Sequence, residues 1–167
     1  MRFSVRNCFS IYALFCLSLV VSGLILGEVA RLHPCHLCNL QRLYYLLAAF
    51  FAFCGALWPS QRRLWAALVA LMTLGGMITA IEQSWMEYAP QQVTECGFGE
   101  PTLIEQIVDW FGVLWPAVFM ATGFCSSKDW MFLGLSMANW SGLCFLAFGI
   151  VAGSMLAKPA AVGVRAA

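Results

Sequence analysis

The chain has 167 residues, of which 62% are hydrophobic and only 10% charged, with a formal net charge of +1. A soluble domain is roughly 45–50% apolar and about 25% charged, so an ordinary water-soluble globule is excluded and a small membrane bundle is indicated. A near-neutral chain also gives no electrostatic case for nucleic acid.

Charge-free runs mark the spans, because a membrane-crossing helix needs roughly 17–25 mostly apolar residues. Nothing between Arg6 and Glu28 is charged, which sets a first span at 8–28. That run exceeds the roughly 7–15 apolar residues of a signal-peptide core and no A-x-A site follows it, so it is read as an uncleaved span. The run between Arg42 and Arg62 gives a second span at 42–58, ended by Pro59, and a third follows at 64–82. A fourth, from Trp140 to Ala157, occupies 140–157.

A fifth charge-free run, Trp110 to Ser127, has Pro116 in its middle and Gly112 and Gly123 on either side. A proline inside a helix costs about 3 kcal/mol in water, so this run is read as a loop hugging the membrane. Just before it, Leu103, Ile104, Ile107, Val108 and Phe111 recur with helical spacing. One apolar face of that kind suits a helix lying on the bilayer or packed on its own protein.

With four spans, Arg2, Arg6, Arg62, Arg63, Lys158 and Arg165 collect on one side. Arg31, Arg42 and Lys128 fall on the other, with every acidic residue of the chain. The positive-inside rule puts the six-cation side, and with it both termini, in the cytoplasm. The outward loops are then 29–41 and 83–139.

Four of the eight cysteines, Cys8, Cys16, Cys54 and Cys144, lie in or at the ends of apolar runs, where a thiol packs as a small hydrophobe. The other four, Cys35, Cys38, Cys96 and Cys125, all face outward, where disulfides persist. Cys35 and Cys38 sit in "HPCHLCNLQR", and three readings of that pair compete. A zinc site could draw four ligands from the two cysteines with His33 and His36, but all would have to converge from six consecutive residues. A structural disulfide would close a tiny loop and remove little unfolded-state entropy. A strained, exposed bridge is more often a redox couple.

The surroundings favour the redox reading. Pro34 suits the first turn of a helix continuing into the second span. The cysteines would then sit at its N-terminus, where the helix dipole favours a thiolate. Cys38 and Arg42 stand at i and i+4 on one helical face, so the guanidinium can stabilise a thiolate and charge developing near it, or else snorkel to headgroups. Two electrons taken from such a pair need an acceptor. With no haem, dinucleotide or cluster motif in the sequence, a quinone in the bilayer is the one left by elimination.

With "HPCHLCNLQR", the stretch from Glu82 to Cys96 and "FCSSKDWMFLGLSMANW", the chain resembles the DsbB family, quinone-linked proteins of the bacterial inner (cytoplasmic) membrane that generate disulfides in the periplasm. The resemblance covers nearly the whole chain. It implies an all-α membrane protein, a single domain over 1–167. The fold would be a four-transmembrane-helix bundle whose long second periplasmic loop carries a short membrane-surface helix.

The resemblance also implies two redox-active disulfides, Cys35–Cys38 and Cys96–Cys125, and a periplasmic DsbA-like thioredoxin-fold partner. In that scheme Cys96 forms the mixed disulfide with the partner and Cys125 attacks Cys35. Cys38 is left as the thiolate facing ubiquinone or menaquinone, beside Arg42. Gln83 stands where some relatives carry a histidine near the quinone headgroup, and Gln41 where many carry an acidic residue. The spacing from Cys96 to Cys125 differs by a few residues from the best-known pattern. Other functions to weigh are an enzyme like vitamin K epoxide reductase and a non-catalytic membrane scaffold with structural disulfides.

Overall fold

The structure is a computed structural model that describes residues 5–88, 103–123, 125 and 130–157, with side chains at 103–105 left aside. Four long helices dominate: α1 (Val5–Val29), α2 (His36–Leu57), α3 (Arg62–Tyr88, entered through a short 3₁₀ turn at Pro59–Gln61) and α6 (Met137–Ala157). Each is long and apolar enough to cross a membrane. The fold is the all-α four-helix membrane bundle that the composition pointed to.

α1 packs on α2, α2 on α3 and α3 on α6. Small residues let the backbones approach: Ala48, Ala49 and Ala52 of α2 and Ala66 and Ala80 of α3 are all in the core. A Cβ on Gly75 would come within 2.6 Å of the Tyr44 ring, and one on Gly76 would run into Phe145. In a bilayer, where lipid tails are as apolar as leucine, such close packing is what holds helices together. Phe145 stacks on Tyr45 with ring centroids 4.0 Å apart. Leu14, Phe15, Phe50, Phe53, Leu71, Leu74, Ile78 and Ile150 point outward, the surface expected to meet acyl chains.

Two helices run past the apolar spans read from the sequence. α2 begins at His36, six residues before the apolar span opens at 42, as a helix entered near Pro34 requires, and α3 continues to Tyr88. The extra turns carry the polar residues of both helix ends. The fifth charge-free run is split, as its proline foretold. α4 (Leu103–Leu114) stops before Trp115, and Pro116 opens a single-turn helix, α5 (Pro116–Phe119). At about 1.5 Å per residue, a 12-residue α4 cannot span a hydrocarbon core of about 30 Å. Val108 is buried, while Ile107, Trp110 and Leu114 are exposed, so α4 has one face on the protein and an apolar face turned outward.

A two-stranded hairpin, β1 (Met131–Phe132) and β2 (Leu135–Ser136), precedes α6, with Met131 opposite Ser136 and Phe132 opposite Leu135. Its turn places Leu133 and Gly134 at positive φ (52° and 78°), the combination two-residue hairpins use. Trp140 Nε1 donates to Phe132 O at 3.1 Å and fixes the hairpin to the start of α6.

Candidate functional site

The helix of the Cys-x-x-C pair starts two residues later than its proline suggested, at His36. Cys35 is the N-cap of α2, and its Sγ accepts from Cys38 N at 3.4 Å, the role a serine or aspartate oxygen usually plays. The two sulfurs lie 3.2 Å apart as thiols. Cys35 is 1% exposed, and Cys125, from the segment between α5 and α6, clusters with it and Leu37, with Met86 packed alongside. Hydrogen bonding to Cys125 and Cys38, with burial added, pushes the Cys35 thiol well above the ordinary thiol range. Of the Cys-x-x-C pair, Cys35 is the sulfur that donates, its Sγ to Cys38 Sγ.

A backbone crossing delivers Cys125 to this place. Thr122 N and Gly123 N both donate to Pro34 O, at 2.9 and 3.1 Å. A Cβ on Gly123 would collide with the carbonyl oxygen of His33, so a glycine is required there. One turn upstream, the last carbonyls of α5 are gripped from α2. Asn39 Nδ2 donates to Phe119 O at 2.7 Å, and Arg42 Nη1 donates to Val118 O at 2.8 Å and, more weakly, to Asn39 Oδ1 at 3.3 Å. Helix-end carbonyls have no partner of their own helix, and a guanidinium is the strongest neutral-pH donor available to them. Farther out, His36 Nε2 meets Asp109 Oδ1 of α4 at 3.0 Å. That engages the imidazole away from the thiols, against the zinc reading.

On the inner side, Gln83 reaches Cys38 from the extended end of α3. Its Nε2 donates to Cys38 Sγ at 3.1 Å, while its Oε1 accepts from Gln41 Nε2 at 2.9 Å. Two spaces open beside this group. A cavity of about 60 Å³ is bounded by His33, Cys35, Cys38, Arg42, Gln83 and Glu87, among others. A groove of about 220 Å³ then runs between the C-terminal half of α1 and the N-terminal half of α6, lined by Leu19, Val20, Leu26, Ala138 and Cys144, with Cys38, Gln41, Arg42 and Gln83 at its head. α1 and α6 meet at the Tyr12–Phe148 ring contact, 4.8 Å between centroids, below the groove.

Residues 5–155 match the family model described as disulfide bond formation protein DsbB. A Dechloromonas aromatica protein named disulfide bond formation protein B is 47% identical over 91% of both chains. Proteins of the same name from Nitrosomonas europaea and Aromatoleum aromaticum are 37% and 36% identical, over 89% and 93% of this chain and 92% and 95% of theirs. The chain belongs to the DsbB family.

It is therefore a multi-pass membrane protein with a thiol-oxidoreductase role in disulfide formation. Of the site residues expected for a DsbB protein, the structure brings Cys35, Cys38, Cys125, Arg42 and Gln83 together; Cys96 lies outside the described residues. Cys16 and Cys54 are buried within helices, Cys8 is half-buried, and Cys144 lines the groove. Four residues of the site had no assigned role in the sequence reading: Asn39, Gln41, Glu87 and Asp109. Asn39 and Gln41 had a visible signal, two neutral polar side chains inside a helix next to an arginine. Glu87 and Asp109 had none, because their positions depend on how far α3 extends and where α4 docks.

Proposed function

We propose that this protein reoxidises a periplasmic DsbA-like dithiol, with Cys96 as the point of attack, and passes two electrons from Cys96/Cys125 through Cys35/Cys38 to a membrane quinone, ubiquinone or menaquinone. The observation that carries this reading is the position of the first pair. Cys35 meets Cys125 on one side, and Cys38 faces the head of an apolar groove on the other. The protein would sit in the bacterial inner membrane with both termini cytoplasmic.

Each sulfur has a distinct task. Cys125, released when the partner opens the Cys96–Cys125 bridge, attacks Cys35 Sγ; the Cys125–Cys35 bond forms as Cys35–Cys38 breaks. Cys38 leaves as the thiolate, where Gln83 Nε2 donates to it and the start of α2 favours negative charge. The partner's second cysteine displaces Cys96 and the partner leaves as its own disulfide; the freed Cys96 then displaces Cys35 from Cys125, restoring the loop disulfide with the partner's two electrons now held by Cys35 and Cys38.

The groove fits a quinone: apolar walls for a lipid-soluble body, and amide and guanidinium donors at one end for carbonyl oxygens. A bound quinone supplies a two-electron, two-proton sink. Arg42 would stabilise charge at that end and, being always protonated, would not supply the protons.

Quinone reduction with a reduced thioredoxin-fold partner tests the scheme. Cys35→Ser, Cys38→Ser, Cys96→Ser and Cys125→Ser should each abolish turnover, and joint replacement of Cys8, Cys16, Cys54 and Cys144 by alanine should largely preserve it. Turnover surviving any one of the four serine changes would refute the relay.

A further inference from the structure

Glu87 is a carboxyl group beside the thiol cluster, in the last turn of α3, and nothing in the relay as described uses it. It is 4% exposed, one helical turn beyond Gln83 on α3, and next in sequence to Met86, which packs against Cys35 and Cys125. It lines the same 60 Å³ cavity as Cys35, Cys38 and Arg42. An ionisable side chain buried to that degree is costly and calls for a function. The cavity has room for bridging water, which needs about 10–15 Å³. The relay, meanwhile, lacks a proton carrier. Closing the Cys35–Cys38 bridge requires the Cys35 thiol to lose its proton, and that sulfur is sealed from bulk water.

We propose that Glu87 is the base that takes the Cys35 proton as the first disulfide closes, directly or through water in the cavity. The inference rests on the relay reading, in which the Cys35–Cys38 dithiol is oxidised. In balance, Cys35 thiol, Cys38 thiolate, Glu87 carboxylate and a two-electron quinone acceptor become the Cys35–Cys38 disulfide, Glu87 carboxylic acid and the doubly reduced acceptor. The S–H bond of Cys35 breaks, the S–S bond forms, the electron pair goes to the acceptor and the proton goes to Glu87. The reverse transfer protonates Cys35 when Cys96 displaces it from Cys125. The other titratable or charged groups lining the cavity, among the described residues, are His33, Cys35, Cys38 and Arg42. Arg42 is always protonated, and His33 is exposed, with its Nδ1 3.2 Å from Thr122 Oγ1.

The test needs no quinone. Full-length, quinone-free protein carrying Cys96→Ser and Cys125→Ser, so that only the first pair can close, is reduced and mixed with diamide. Closure is timed by acid quench and alkylation across pH 5–9. Glu87→Gln should slow closure about 100-fold near pH 7, the range general-base catalysis supplies, with the rate recovering as pH rises. Capture of Cys38 by N-ethylmaleimide should be unchanged, and His33→Ala should leave closure unchanged.

Closure by Glu87→Gln at the native rate and pH profile would overturn the assignment, as would an equal fall in both closure and Cys38 capture. If Glu87→Gln does not fold, Glu87→Asp carries the test. Slower closure with the native low-pH limb retained supports the proposal, and a native rate or a profile displaced to high pH overturns it. Failure of the relay itself would show separately, as native protein unable to reduce quinone.

Discussion

Gln83 bridges two helices through one amide: its nitrogen donates to Cys38 Sγ at 3.1 Å while its oxygen accepts from Gln41 at 2.9 Å. The second bond sets the nitrogen as the nearer end, while Cys38 Sγ as a thiol also reaches Gln83 Oε1 at 3.6 Å. A donor aimed at Cys38 suits the thiolate better than the thiol, and hydrogen bonds to charged groups contribute about 1.5–3 kcal/mol. Gln83→Leu should therefore slow N-ethylmaleimide capture of Cys38 at least tenfold and lower turnover to a similar degree. It also leaves the Gln41 amide buried without its acceptor, at about 1–3 kcal/mol. The double change Gln41→Leu/Gln83→Leu should recover stability in a thermal melt but not thiol reactivity. Recovery of both would mean that Gln83 only fills space.

Arg42 serves the loop and the groove at once, because Nη1 holds Val118 O at 2.8 Å while the side chain stands at the groove head. Arg42→Ala should raise the apparent KM for quinone and lower kcat, each by about 10-fold or more on the strength of one charge-assisted bond. Arg42→Lys keeps the charge but loses the planar fork, so its kcat should fall less than its alanine counterpart's. Steady-state kinetics with quinone varied will check this, and an unchanged KM in Arg42→Ala would remove the residue from the acceptor site.

The thiol cluster has an order of reactivity. Cys35 is held far above the ordinary thiol pKa of 9.0 by its two sulfur neighbours and by burial, so it stays neutral at pH values where an ordinary thiol ionises. In the reduced protein, Cys38 should be alkylated before Cys35 at pH 7. Raising the pH from 7 to 9 should accelerate a model thiol strongly and Cys35 hardly at all. Peptide-level mass spectrometry after timed quenching reads both rates. A Cys35 that tracks the model thiol contradicts the buried geometry.

The sequence disclosed the bundle because lipid imposes its rules locally. Charge-free length, Pro59 and Pro116 mark helix ends without reference to anything distant. It disclosed Cys38 and Arg42 for the same reason, since i and i+4 lie on one helical turn. Gln83 was reached only through resemblance, because its meeting with Cys38 depends on α3 running to Tyr88 rather than stopping near residue 82. Asn39 was overlooked although it is fully buried; its partner, Phe119 O, is a backbone atom 80 residues away. The hairpin at 131–136 escaped because two-residue strands have too little alternation to register. Docking contacts between distant segments leave no periodic mark, and this site is assembled mostly from them.

Gly123 is the narrowest point of that docking. The segment crosses Pro34 with two amides on one carbonyl, and a methyl at Gly123 would meet backbone, not a side chain that could swing aside. Gly123→Ala must therefore lift the segment off. The two hydrogen bonds forfeited are worth about 0.5–1.5 kcal/mol each, a total of about 1–3 kcal/mol. That disfavours the docked state by roughly 5–150-fold and carries Cys125 away from Cys35. In a Cys38→Ser/Cys96→Ser background, oxidative trapping of the Cys35–Cys125 cross-link should become at least fivefold slower in the alanine variant. The melting temperature should hold, because the four-helix core has no part in the contact. Trapping at the parental rate would show that Cys125 finds Cys35 by some route other than the Pro34 crossing.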